Sequence, residues 1–173
     1  NKDTEENFLE LLYRSSPAEA LQKWSKNLDK QSDEESRSLL LNRSLITLKK
    51  STLPPPKRRI AGEIAISQLN TLLQSKEWLE TPDNSLLAAE LIAETGNPLR
   101  SKEIILSSLS NHPTHTKSIF FLTRLIVHLK DTENLGFIGK KLAKLATRKT
   151  PSGVEAIRHM TLLHVLSPLS LQS

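Results

Sequence analysis

Residues 85–113 read SLLAAELIAETGNPLRSKEIILSSLSNHP, and the fold turns on this stretch. Two amphipathic segments flank a break at Gly96-Asn97-Pro98. Leu87 and Leu91 in the first, and Ile105 and Leu109 in the second, recur at the spacing of one helix face. Glycine permits the left-handed turn that ends a helix. Asn97-Pro98 reads as a cap followed by a first-turn proline, and Pro113 stops the second helix. A short loop between two amphipathic helices makes them antiparallel neighbours.

The same punctuation continues outward. Ser16-Pro17-Ala18-Glu19 and Ser32-Asp33-Glu34-Glu35 read as capping boxes, and Thr81-Pro82 and Thr150-Pro151 as caps with a first-turn proline. Between these marks apolar residues keep the helical period: Phe8, Leu11 and Leu12; Ala20, Trp24 and Leu28; Leu135, Ile138, Leu142 and Leu145. No stretch alternates apolar and polar over strand length. The spacing predicts helices near 4–14, 17–29, 33–50, 57–74, 83–95, 98–110, 115–129, 133–147 and 151–166. Residues 51–56, ending in three prolines, are expected to form a stiff non-helical linker. The stretch 75–80, with Trp78, is expected to cap the long helix before it.

Residues 85–113 resemble the tetratricopeptide repeat. Ala89 stands at the small residue of the first helix, Ile92 at the large residue before the turn and Gly96 at the turn glycine. Ser101 and Ser108 take the two alanine places of the second helix, Ile105 the bulky place between them, and Pro113 the closing proline. Small residues let helices approach to about 8–10 Å while bulky ones fill the groove alongside. A partial copy falls at Phe8, Leu11, Ser15, Ala20, Trp24 and Leu28, and another begins near Thr116 with Ile119, Leu122 and Ile126, Gly139 and Ala146 being its small residues. The resemblance implies an all-α fold, a right-handed superhelix of antiparallel hairpins with eight or nine helices. It implies one domain over 1–173, with units at about 1–34, 35–81, 82–115 and 116–150 and a final helix at 151–166. The chain opens Asn1-Lys2-Asp3 and closes Gln172-Ser173, and reads as an excerpt of a longer protein.

Composition agrees with helix. Aromatic residues make up 4% and there are five glycines, fewer of both than β-sandwiches need. Cysteine is absent, which excludes disulfides, thiolate metal sites and thiol nucleophiles. The longest apolar run, residues 119–129, is broken by Arg124 and His128 and is too short to span a bilayer. Compartment is left open; a cytoplasmic one is favoured, and a membrane-anchored or exported parent is compatible. Net charge is +5 but uneven: residues 1–36 carry nine acids and five bases, the rest nineteen bases and ten acids. That asymmetry suggests an acidic partner for a basic face.

No reaction chemistry stands out, so neither enzymatic activity nor a cofactor is expected. His112 and His115 flank a loop, and His159 and His164 are five apart, a spacing that separates ring directions on a helix and does not make a metal pair. Gly136-Phe137-Ile138-Gly139-Lys140-Lys141 lacks the first glycine and the hydroxyl of a Walker loop. Its glycines are expected where two helices touch.

The reading is therefore a protein-interaction scaffold. By the resemblance, the first helix of each hairpin lines a groove. Its outward positions are Asp83, Glu90 and Glu94 in one unit and Lys117, Phe120, Arg124 and His128 in the next. An acidic or amphipathic segment of another protein is the expected occupant. The family's carboxylate clamp is missing, since its lysine–asparagine pair would fall at Glu5 and Leu9. Two alternatives are nucleic-acid binding by the basic stripe Lys140, Lys144 and Arg148, with Lys141 and Lys149 beside it, and self-association through the apolar end formed by Leu162, Leu163, Val165, Leu166, Leu169 and Leu171. Lys49, Lys50, Lys57, Arg58 and Arg59 form a second basic cluster.

Overall fold

The computed structural model describes residues 2–28, 34–50 and 52–166, with side chains of the first helix from Asn7 onward. Ser32 and Asp33 of the second capping box, Ser51 of the linker, and Leu169 and Leu171 lie outside the described residues. Among the described residues there are ten helices and no strand, so the fold is all-α. Nine of the helices match the expected segments within a few residues. The tenth is the short Lys76–Glu80 helix. The chain divides into two compact units, Asn1–Asn97 and Pro98–Ser173.

The first unit holds α1 (Lys2–Ser15), α2 (Pro17–Leu28), α3 (Glu34–Leu48), α4 (Pro55–Leu72), α5 (Lys76–Glu80) and α6 (Pro82–Glu94). α1 packs on α2, α2 on α3 and α3 on α4; α2 also packs on α4, and α6 packs on α3, α4 and α5. That pattern, neighbour plus next-but-one, is compatible with stacked helical hairpins. The interior is leucine and alanine: Leu21, Leu40, Leu41, Ala61, Ala65, Leu69 and Leu91 are fully buried. Polar ties cross it. The Tyr13 hydroxyl reaches the Arg43 carbonyl at 3.0 Å and Thr47 Oγ1 at 2.9 Å, joining α1 to α3. Buried Gln68 of α4 donates to Ser25 of α2 at 3.0 Å and accepts from Arg37 of α3.

Two sequence expectations change here. Pro55 and Pro56 are helical. Pro54 is the N-cap at φ −57° and ψ 143°, and the next two prolines occupy the first turn, where a missing N–H costs nothing because the first turn has no acceptor for it. The face read from Phe8, Leu11 and Leu12 is not the buried one either. Phe8 is 52% and Leu11 65% exposed, while Leu9 and Tyr13 are buried. The Tyr13 hydroxyl contacts select that face. The stretch 75–80 forms a helix of its own: Ser75 Oγ accepts the Trp78 backbone N–H at 3.2 Å, and the Trp78 indole donates to Ser38 of α3 at 2.8 Å.

The second unit holds α7 (Pro98–Asn111), α8 (Thr116–Leu129), α9 (Leu135–Ala146) and α10 (Pro151–Leu163). Consecutive helices pack, and α8 also packs on α10. Ile105, Ile119, Leu122, Ile126, Ile138, Leu142 and Ala156 are fully or almost fully buried. Asp131 pins the α8–α9 turn. It accepts the backbone N–H groups of Glu133 and Asn134, the Asn134 amide at 2.8 Å and Lys102 of α7 at 2.8 Å. Burial alone would raise its pKa, but the hydrogen bonds from Lys102 and Asn134 and the Lys102 charge outweigh that, and the carboxyl sits below its ordinary value.

Residues 85–113 span most of α6 in the first unit and α7 in the second. Its pattern residues Ala88, Ala89, Ile92, Ser101, Ile105, Ser108 and Leu109 are all buried. Gly96 adopts φ 95°, and the Asn97 N–H returns to the Ile92 carbonyl at 3.0 Å, the left-handed helix end that the glycine implied.

Candidate functional site

Lys117, Phe120, Arg124 and His128 lie along α8, spaced three, four and four residues apart, so they share a face. Lys117, Arg124 and His128 are exposed; Phe120 is half-buried. A residue absent from the sequence reading of this face explains Phe120. His159 of α10 is buried and stacks on the Phe120 ring, with centroids 4.5 Å apart and an interplanar angle of 18°. Its Nδ1 lies 2.9 Å from the Glu155 carbonyl, which can only accept, so Nδ1 carries the proton. Nε2 then accepts from Arg124 Nη1 at 3.1 Å. Both ring nitrogens are engaged within the fold. Arg124 is thus held against α10, while Lys117 and His128 project outward.

Glu90 and Glu94 belong to the first unit, and each meets a base there. Glu90 accepts from Lys49 at 3.3 Å and Glu94 from Arg58 at 3.1 Å. Arg59 pairs with Glu63 at 3.0 Å, and Lys50 lies 5.7 Å from the Tyr13 ring centroid. The basic cluster around the prolines is therefore largely neutralised from within. A cleft of about 860 Å³ runs along the same face of α4, with Leu48, Gly62 and Ile66 as apolar lining and the Arg58–Glu94 and Arg59–Glu63 pairs among its walls.

A different surface had no signal in the sequence. Leu39 and Ile46 stand seven residues apart on α3, 48% and 51% exposed, with exposed Asn42 between them. Seven residues are two helical turns, so the two side chains share a face. The other sides of α3 are engaged by α2, α4 and α6 and by Tyr13 of α1. Periodicity reveals α3 as helical, but its leucine-rich run does not say which leucine faces out.

On α9, Ile138, Leu142 and Leu145 are buried and Lys140 and Lys144 exposed, as are Arg148 and Lys149 beyond its end. Gly136 and Gly139 do not mark a helix contact. A Cβ built at either would have nothing within 4 Å. No protein-family model, curated protein or solved structure matches the chain. Among the described residues no group of three or more histidines and acids could hold a metal, and no helix is long and apolar enough to cross a membrane. His115 Nδ1 lies 2.7 Å from Ser118 Oγ at the start of α8, and His164 is exposed.

Proposed function

We propose that this chain is a non-catalytic interaction scaffold built of tetratricopeptide-like helical hairpins, and that it holds an amphipathic, partly acidic segment of another protein. The observation that carries this reading is the stripe of Leu39 and Ile46 on α3. Two large apolar side chains stay in water on a helix whose remaining sides are packed. Burying such a pair against a partner stabilises a complex, and apolar anchors beside charges are the usual make-up of a binding hot spot. Lys50, exposed just beyond the same helix, favours an acidic flank on the partner. The tetratricopeptide pattern in residues 85–113 and the hairpin-like packing of each unit support the same assignment. In the second unit Lys117 and His128 offer the corresponding polar positions on α8.

The test is photo-crosslinking in the source cell from a reactive residue placed at position 46 or 128, compared with Leu39→Glu/Ile46→Glu and Lys117→Glu/His128→Glu double variants. All four sites are exposed, so the variants should keep the wild-type helical spectrum and melting temperature. They should lose the crosslinked protein. Folded double variants that retain every crosslinked protein would refute the assignment.

A further inference from the structure

Among the described residues Lys140, Lys144, Arg148 and Lys149 have no acidic partner. Bases elsewhere commonly do: Arg14 and Arg43 share Glu10, Lys102 meets Asp131, and Arg158 meets Glu155. The unit boundary sharpens the contrast. Residues 98–173 carry eleven Lys and Arg against four Asp and Glu, whereas residues 1–97 carry thirteen against fifteen. The positive charge is concentrated in one unit, and its densest run lies along one face of α9.

That face also has a ring. Phe137, Lys140 and Lys144 are spaced three and four residues apart on one face of α9, and Arg148 follows four residues on, just past the helix end. Lys140 and Lys144 are about 6 Å apart along the helix axis. Phe137 stays 42% exposed. Lys141 Nζ sits 4.9 Å from its centroid and donates to the Pro113 carbonyl at 2.9 Å, so the ring is held in place from one side. Gly136 and Gly139 leave open space beside it.

We infer that the α9 face from Phe137 to Lys144, with Arg148 just past the helix end, binds single-stranded nucleic acid without sequence preference, stacking a base on Phe137 and tracking phosphates with Lys140, Lys144 and Arg148. A fixed aromatic platform beside a positive track is what a flexible polyanion with π-faces needs. An acidic protein helix fits less well. Such a partner would need apolar area to bury, and beyond the Phe137 ring the exposed non-basic positions between Lys140 and Arg148 are only Ala143 and Thr147. A membrane surface fits worse, because an interfacial helix buries its apolar face in lipid, and here Ile138, Leu142 and Leu145 are already buried in the protein. This site is independent of the scaffold reading, which rests on α3 and α8.

The experiment uses the full chain, a labelled twelve-nucleotide oligouridine, a duplex DNA of equal length and polyglutamate. With Lys149 neutralising a phosphate beside Lys140, Lys144 and Arg148, four cations in all, and a slope of about 0.7 per phosphate neutralised, affinity for oligouridine should fall about fiftyfold between 50 and 200 mM salt. Lys140→Gln/Lys144→Gln/Arg148→Gln should bind far more weakly, with a residual salt effect of about two- to threefold. Phe137→Ala should weaken binding by about fivefold or more and leave the salt slope unchanged. Leu39→Glu/Ile46→Glu should bind RNA like wild type, which keeps this result separate from the scaffold test. The inference is overturned if wild type does not bind oligouridine at 50 mM salt, or if the folded triple variant binds as tightly. It is also overturned if polyglutamate displaces the RNA at equal charge, which would make the face an acidic-protein surface. Preference for the duplex with no effect of Phe137→Ala would overturn the single-strand assignment.

Discussion

Ser108→Ala should make this protein more stable. Ser108 is buried in α7, and its hydroxyl has no hydrogen-bond partner among the described residues. An unsatisfied buried hydroxyl costs about 1–3 kcal/mol of desolvation. Alanine also exceeds serine in helix propensity by roughly 0.5 kcal/mol. Against this stand the dispersion contacts of one oxygen, about 0.1–0.2 kcal/mol for each atom pair. The net expectation is a gain of about 1–2 kcal/mol. Ser101 supplies the control. It lies seven residues earlier on the same helix, is fully buried and engages a partner. Removing a satisfied hydroxyl forfeits about 1 kcal/mol, partly offset by propensity, so Ser101→Ala should be neutral or slightly destabilising. Scanning calorimetry on both variants reads the difference. At this chain length 1 kcal/mol moves the midpoint by about 2–4 °C. A Ser108→Ala variant that melts below wild type, or a Ser101→Ala variant that gains as much, would refute the account of α7.

The α9–α10 turn and the α8–α9 turn give two further tests. A Cβ at Gly153 would lie 2.0 Å from the Arg148 carbonyl oxygen, where backbone leaves no room to give, and the Gly153 N–H is also capped by Thr150. Gly153→Ala should therefore cost at least about 2 kcal/mol, measured by thermal melting, and a wild-type midpoint would mean the turn is not as close as described. The depressed pKa of Asp131 stabilises the fold above the unfolded-state value of about 3.9, and that contribution is lost as pH falls through the folded-state value. Urea midpoints should drop more steeply between pH 5 and pH 2 for wild type than for Asp131→Asn, and parallel curves would show that this carboxylate does not drive the acid limb.

Helix positions were legible because their causes are local. The 3.6-residue period, the caps at proline-led starts and the glycine at position 96 each act through backbone groups a few residues apart. The residues matched to the repeat in α6 and α7 were buried as their pattern implied. Local rules also explain two misreadings. Three consecutive prolines look like a linker unless the last two fall in a first turn, and a five-residue helix such as α5 has too few residues to display a period.

Which face of a helix meets water was decided by tertiary structure. α1 has a periodic face through Phe8 and Leu11, yet Leu9 and Tyr13 are buried because the Tyr13 hydroxyl finds partners thirty or more residues away on α3. Phe120, read as a groove position, is half-buried against His159, thirty-nine positions later, which stacks on it and accepts a hydrogen bond from Arg124. The basic clusters read alike in the sequence. In the fold, acids from α4 and α6 neutralise much of the one beside the prolines, and among the described residues the one on and just past α9 has none. Backbone hydrogen bonding writes helices into neighbouring residues, whereas exposure and charge pairing belong to pairs of residues that only the folded chain brings together.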